Sequence, residues 1–152
     1  MEFANIGLRS TGSGGGGLSS FDDFTLWVRQ VRLMDDQATW ELSRASGQRK
    51  PEALSVLRRA KSFRESAYRI FESLAGRHVP PAADLETFNR ELGRAMQHAV
   101  LGSVRGELQW SWRPGDKLLE RILWPIVLAT ADLLTSSDSK RIHRCAGPSC
   151  GR

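Results

Sequence analysis

Apolar side chains recur along most of this chain every three to four residues, the spacing that lines one face of a helix. Phe21, Phe24, Trp27, Val28 and Val31 predict an amphipathic helix over residues 21–33. Ser20 stands where an N-cap belongs, and Asp22 and Asp23 suit the positive end of a helix dipole. A second short helix, residues 36–45, is expected to lay Trp40 against the first. The clearest helix runs from Pro51, a good first-turn residue, to a stop at Gly76. Val56, Ala60, Phe63, Ala67, Ile70, Phe71 and Leu74 form its apolar stripe, and Arg58, Lys61, Ser62, Glu65, Arg69 and Glu72 lie opposite. Glu65 is four residues from both Lys61 and Arg69, the pattern of a solvated, self-paired face rather than of one that reads DNA. After Pro80-Pro81, Asp84 is expected to cap a helix over residues 85–97 that turns Leu85, Phe88, Leu92 and Met96 inward.

The rhythm then changes. Leu108, Trp110 and Trp112 alternate with Gln109, Ser111 and Arg113, a period of two that predicts a strand. With AVLGSV before it and a turn at Arg105-Gly106, residues 99–113 read as an antiparallel hairpin with one apolar face. Tryptophans at that spacing stack nucleic-acid bases in some proteins. The commoner use is the core face of a sheet, and that is the expectation here. Asp116 is placed to cap a helix over residues 117–135. Ile122 to Leu134 are apolar on nearly every side, which marks the most buried element. Pro125 within it either kinks the helix or begins a second one after a short first turn. RIHRC, residues 141–145, reads as a short strand, and MEFANI, residues 1–6, as another. STGSGGGGLSS, residues 10–20, is a surface connection, since no Gly-Lys-Ser/Thr follows its four glycines. The fold class is therefore α+β: a mainly helical domain with a small antiparallel sheet.

Composition adds little to this pattern. The 152 residues fit one domain with a real core. A net charge of +5 and a pI near 9.9 favour acidic partners such as nucleic acid, but weakly. The longest apolar run, ILWPIVLATADLL, is too short to span a bilayer and contains a proline and an aspartate. MEFANIGLRS lacks the apolar centre of a secretory signal, so the expected compartment is the cytoplasm. No catalytic constellation is visible. His78, His98 and His143 are scattered, with no paired-histidine metal motif and no Gly-x-Ser-x-Gly elbow. His98 and Glu107 are acid–base candidates only by proximity along the chain, and the expectation is that the protein is not an enzyme.

The chemistry-bearing motif lies at the end of the sequence. Both cysteines, Cys145 and Cys150, form a Cys-x4-Cys pair closed by Ala146-Gly147-Pro148-Ser149, a sequence suited to folding back. Zinc takes four ligands in a tetrahedron, with sulfur at about 2.3 Å. Two cysteines are half of such a site, and His143 offers a third ligand. The alternative is a pair of reduced thiols on a tail. Arg141, Arg144 and Arg152 surround the pair and are the nucleic-acid candidates.

The stretch ADLLTSSDSKRIHRCAGPSCGR resembles the junction between the ABATE domain and the zinc knuckle of CGNR zinc-finger proteins. MEFANI is similar to that bacterial family's opening strand, SSFDDFTLWVRQVRLMDD to its first helix, and LQWSWRPGDKLLERILWPIVLATADLLTS to its hairpin and buried helix, Trp124-Pro125 included. The resemblance implies an ABATE-like regulatory domain over residues 1–139 and the first half of a CGNR-type zinc finger over residues 140–152. It implies a stress-response transcription regulator that contacts DNA through the finger. Cys145 and Cys150 would be the first two zinc ligands. The second Cys-x4-Cys, the Gly-Asn-Arg and the basic helix have no counterpart here, so the chain reads as truncated within the finger, with zinc weak or absent. The effector is not named by the sequence, a homo-oligomer is open, and no membrane partner is expected. The competing reading is a small-molecule- or protein-binding module in which the knuckle is only structural.

Overall fold

The computed structural model describes residues 18–113 and 119–143; the expected opening strand, most of the glycine-rich connection and the Asp116 cap lie outside them. Helix α1 (Phe21–Gln30) starts as its sequence requires. Ser20 Oγ accepts the Asp23 N–H at 3.0 Å, and Asp23 Oδ2 accepts the Ser20 N–H at 2.9 Å. This reciprocal cap satisfies two donors for which the first turn has no partner. Helix α2 (Asp36–Gln48) begins under Asp35, whose carboxylate accepts the Ala38 N–H at 2.7 Å. Its buried positions are Thr39, Leu42, Ala45 and Ser46. Trp40, expected against α1, instead lies on the outer face, where the Arg44 guanidinium sits 5.6 Å from its ring centroid.

Helix α3 (Lys50–Ala75) carries Pro51 in its first turn and stops at Gly76. The glycine is not there for its backbone freedom, since its φ is −85°. A Cβ at that position would lie 2.7 Å from His78 Nδ1, and it is Arg77 that takes the left-handed φ of 58°. Helix α4 (Ala82–His98) follows Pro81 and has no side-chain cap. Asp84 is in its first turn with its side chain buried, not at the cap.

Strands β1 (Ala99–Val104) and β2 (Glu107–Trp112) pair antiparallel, with Ala99 opposite Trp112, Leu101 opposite Trp110 and Ser103 opposite Leu108. Arg105 and Gly106 both have positive φ, 53° and 85°, the turn geometry whose twist suits a two-residue hairpin. The expected apolar face exists, but helices cover only its base. Trp112 packs on the core, whereas Leu101, Leu108 and Trp110 are exposed. A short 3-10 helix, Leu119–Ile122, leads into α5 (Trp124–Thr135), so Pro125 begins a helix rather than kinking one. A second 3-10 helix, Ser137–Arg141, and irregular chain through His143 stand where a strand was expected.

The molecule is a mainly helical α+β domain with a small two-stranded antiparallel sheet. Helix α3 packs on α4, α4 on α5 and α1 on α2, while α2 also meets α3 and the first 3-10 helix. Phe24, Val28, Leu42, Val56, Phe63, Ile70, Leu119, Ile122 and Val127 form the centre of one core. The apolar run ending at Leu134 is buried through Leu128 and only partly covered beyond it. No described helix is long and apolar enough to cross a membrane. Val127 is fully buried. A carboxylate there would enter the hydrophobic core, and its cost of several kcal/mol rivals a whole domain's stability. Val127→Asp is therefore expected to abolish the cooperative thermal transition seen by circular dichroism, and a native-like melt would disprove the packing described.

Candidate functional site

Helix α4 turns Asp84, Phe88, Glu91 and Ala95 inward, a helical stripe that includes two carboxylates. This corrects the expected inward set, of which Leu85 and Met96 are exposed. The carboxylates are tolerated because arginines meet them. The Glu91 side chain accepts from Arg59 Nη2 at 2.6 Å, from Arg59 Nε at 3.1 Å and from Arg94 Nη1 at 3.0 Å. The same Arg59 guanidinium reaches Glu120 Oε2, in the first 3-10 helix, at 2.8 Å. One cation from α3 thus joins carboxylates from two other elements. Burial pushes the Arg59 guanidinium down, but the hydrogen bonds to Glu91 and Glu120 more than reverse this and hold it above its ordinary value.

A second pair lies one end along. Arg69 Nη2 and Nε donate to Asp84 Oδ1 at 2.6 and 2.9 Å. Arg69 therefore does not close a self-paired face on α3; it reaches across to α4. Its hydrogen bonds hold the Asp84 carboxyl below the usual carboxylate range, against burial, which pushes it up, and with help from Ser66. Carboxylates saturated by guanidinium are poor general acids or bases, so this network is a fastening rather than a reactive site.

Three aromatic side chains meet where α4, β2 and α5 converge. The His98 ring stacks on Trp124 at 4.4 Å with 8° between planes, and Trp112 tilts against Trp124 at 5.3 Å. Trp124 Nε1 and Arg121 Nε are buried with no hydrogen-bond partner among the described residues. His98 and Glu107 do not form a pair. The Arg113 N–H donates to the His98 carbonyl at 2.8 Å at the base of the hairpin, while Glu107 lies opposite Val104 at its tip.

Of the metal and nucleic-acid candidates, Cys145, Cys150, Arg144 and Arg152 lie outside the described residues. Arg141 is exposed at the end of the second 3-10 helix, with Nη1 3.3 Å from Asp138 Oδ1, a surface pair of little energetic weight. Ile142 turns back into the core, 7% exposed, and His143 is exposed beyond it. Among the described residues no group of three His, Cys, Asp or Glu side chains could hold a metal ion.

Sequence reading missed the Arg59–Glu91–Glu120 network. The signal was available: Glu91 lies three residues after Phe88 and seven after Asp84, in phase with the buried stripe. These features define a helical α+β domain whose interior is cross-linked by guanidinium–carboxylate pairs and whose cysteine pair follows it in sequence. Residues 1–137 match the ABATE family, whose description is "Putative stress-induced transcription regulator". The match spans most of the chain, and the chain belongs to this family. No curated protein and no solved structure matches it.

Two outcomes test the network. Arg59→Met strands Glu91 and Glu120 without their shared cation. Breaking a buried pair from one side costs about 3–5 kcal/mol, so the urea midpoint should fall by roughly 1–3 M. An unmoved midpoint would show that the pairs do not matter. Asp84 has a folded pKa below its unfolded value of about 3.9, so its contribution is complete above that value and is lost as pH falls through the folded pKa. Asp84→Asn should lower stability at neutral pH and flatten the acid limb of the stability–pH curve. An acid limb of unchanged steepness would assign acid unfolding to other groups.

Proposed function

We propose that this chain is the regulatory part of a transcription regulator that contacts DNA through a CGNR-type zinc finger, with Cys145 and Cys150 as the first two zinc ligands. The observation that carries the reading is the order of parts. The ABATE match ends at residue 137, and Arg141, Arg144, Cys145, Cys150 and Arg152 follow immediately. Thiolates bind zinc, arginines bind phosphate, and here the two occur together just past a regulator-family domain. The other two ligands come from a second Cys-x4-Cys, as the family resemblance implies. His143 is a substitute third ligand, but the short chain between it and Cys145 closes a tetrahedron poorly. The protein works by binding and not by catalysis, in the cytoplasm beside its DNA. The saturated interior carboxylates support that choice.

The test compares the 152-residue chain with a version extended by a second cysteine pair and Gly-Asn-Arg. After dialysis without chelator, the extended form should retain one zinc per chain and the shorter form well under one. The extended form should bind duplex DNA with an affinity that falls steeply with salt, because phosphate contacts release counterions. One zinc held by the 152-residue chain and lost on Cys150→Ser would overturn the half-site. Tight zinc with no salt-dependent DNA binding would make the knuckle purely structural.

A further inference from the structure

The hairpin presents two faces of different character. Ala99, Leu101, Ser103, Leu108, Trp110 and Trp112 share one, and Val100, Gly102, Glu107, Gln109 and Ser111 share the other. On the first face Leu101 is 65% exposed, Leu108 74% and Trp110 50%. That is on the order of 300–400 Å² of contiguous apolar surface, the size of the largest patch on a typical monomer and often functional. The sheet has two strands among the described residues, so the outer edge of β2 has no strand partner there. Backbone groups alternate inward and outward along an antiparallel strand. The Arg113 N–H points to the β1 side, where it meets the carbonyl of His98, the residue just before β1. Glu107, Gln109 and Ser111 therefore also bond inward, and Leu108, Trp110 and Trp112 direct their N–H and C=O groups to the outer edge.

We propose that two copies of this chain join along the outer edges of β2, making one four-stranded antiparallel sheet across a two-fold axis at Trp110. An antiparallel pairing about such an axis matches residues at equal distances on either side of it. Trp110 then meets Trp110 of the second copy, Leu108 meets Trp112, Gln109 meets Ser111, and Glu107 meets Arg113. Apolar residues oppose apolar ones on one face. Polar residues and two opposite-charge pairs oppose each other on the other face, the matches that stabilise cross-strand neighbours. The outward backbone groups of positions 108, 110 and 112 all find partners. No neighbouring register does as well. An axis at Gln109 sets Glu107 opposite Ser111 and Trp112 opposite Gly106, in the turn. An axis at Ser111 sets Leu108 opposite Pro114, which has no N–H to give. The occupant is a second copy because one short strand supplies both halves of the complementarity. The area is that of a small, reversible interface, so the dimer should dissociate at about micromolar concentrations. The association depends on neither zinc nor DNA.

Sedimentation of the reduced 152-residue chain over a range of concentrations tests this, with reductant present to exclude disulfide dimers. The expected result is a monomer–dimer equilibrium. Glu107→Arg and Arg113→Glu should each weaken it by about tenfold or more, since each sets like charges opposite one another twice. An equimolar mixture of the two variants should recover a heterodimer, because every swapped charge again faces its opposite. Trp110→Lys should give a monomer that still melts cooperatively, as Trp110 is half exposed in the single chain. A chain that stays monomeric at all concentrations overturns the proposal. If its Leu108, Trp110 and Trp112 amides also resist hydrogen exchange, another segment of the same chain covers the edge. Variants that each remain dimeric, or that fail to recover on mixing, overturn the register.

Discussion

A carboxylate cannot enter a helical core without a cation to meet it, and Glu91 makes that constraint central to this molecule. Arg59 and Arg94 converge on it, and Arg59 ties in Glu120 from the segment that precedes α5. Apolar contacts between helices are permissive, because a helix can turn or slide by a small amount and still bury similar area. A forked guanidinium between two carboxylates is not permissive. Turning α4 by one residue would swing Glu91 about 100° away from Arg59. The pair thus fixes how α4 sits on α3, and through Glu120 it fixes where the chain enters α5. Asp84 and Arg69 repeat the device nearer the start of α4. The hairpin leaves directly from the end of α4, so its direction is inherited from these contacts.

Local signals carried most of the secondary structure. The Ser20 cap, Pro51 in a first turn, the Arg105-Gly106 turn and the period of two at Leu108–Trp112 depend on a few adjacent residues, and the folded chain uses them as their chemistry predicts. The apolar stripes of α1 and α3 face the core as expected, and what failed was the inner face of α4 and the place of Trp40. On α4 the inward stripe contains Asp84 and Glu91, whose partners lie on another helix, 15 and 32 residues away in sequence. No local pattern announces a distant arginine. Trp40 shows the same limit: it stays on the outer face with Arg44 over its ring, so an apolar body needs no place in the core. The segment after α5, expected as a strand, is instead a 3-10 helix and irregular chain through His143, since one buried isoleucine needs only a turn to deliver it. The family was legible in the order of its motifs. The two thiols that carry the functional reading were legible only as a spacing.

Trp124 joins the two parts of the fold. Its indole stacks on His98 at the end of α4 and meets Trp112 at the end of β2 at a tilt, while its backbone opens α5. The base of the hairpin is therefore held by ring contacts to the buried start of α5, and the exposed residues toward its tip project from a firm mount.

Ile142 bears on whatever the tail does. With its side chain seated in the core, it is a fixed anchor from which the remaining chain is paid out. Cys145 follows by three residues and Cys150 by eight, so neither thiol can stray more than about 11 or 28 Å from that point. Confinement to so small a volume gives the two thiols a high local concentration. The domain thereby acts as a tether for that cysteine pair, and any tension on the chain beyond Ile142 is felt first at a side chain already locked against the core.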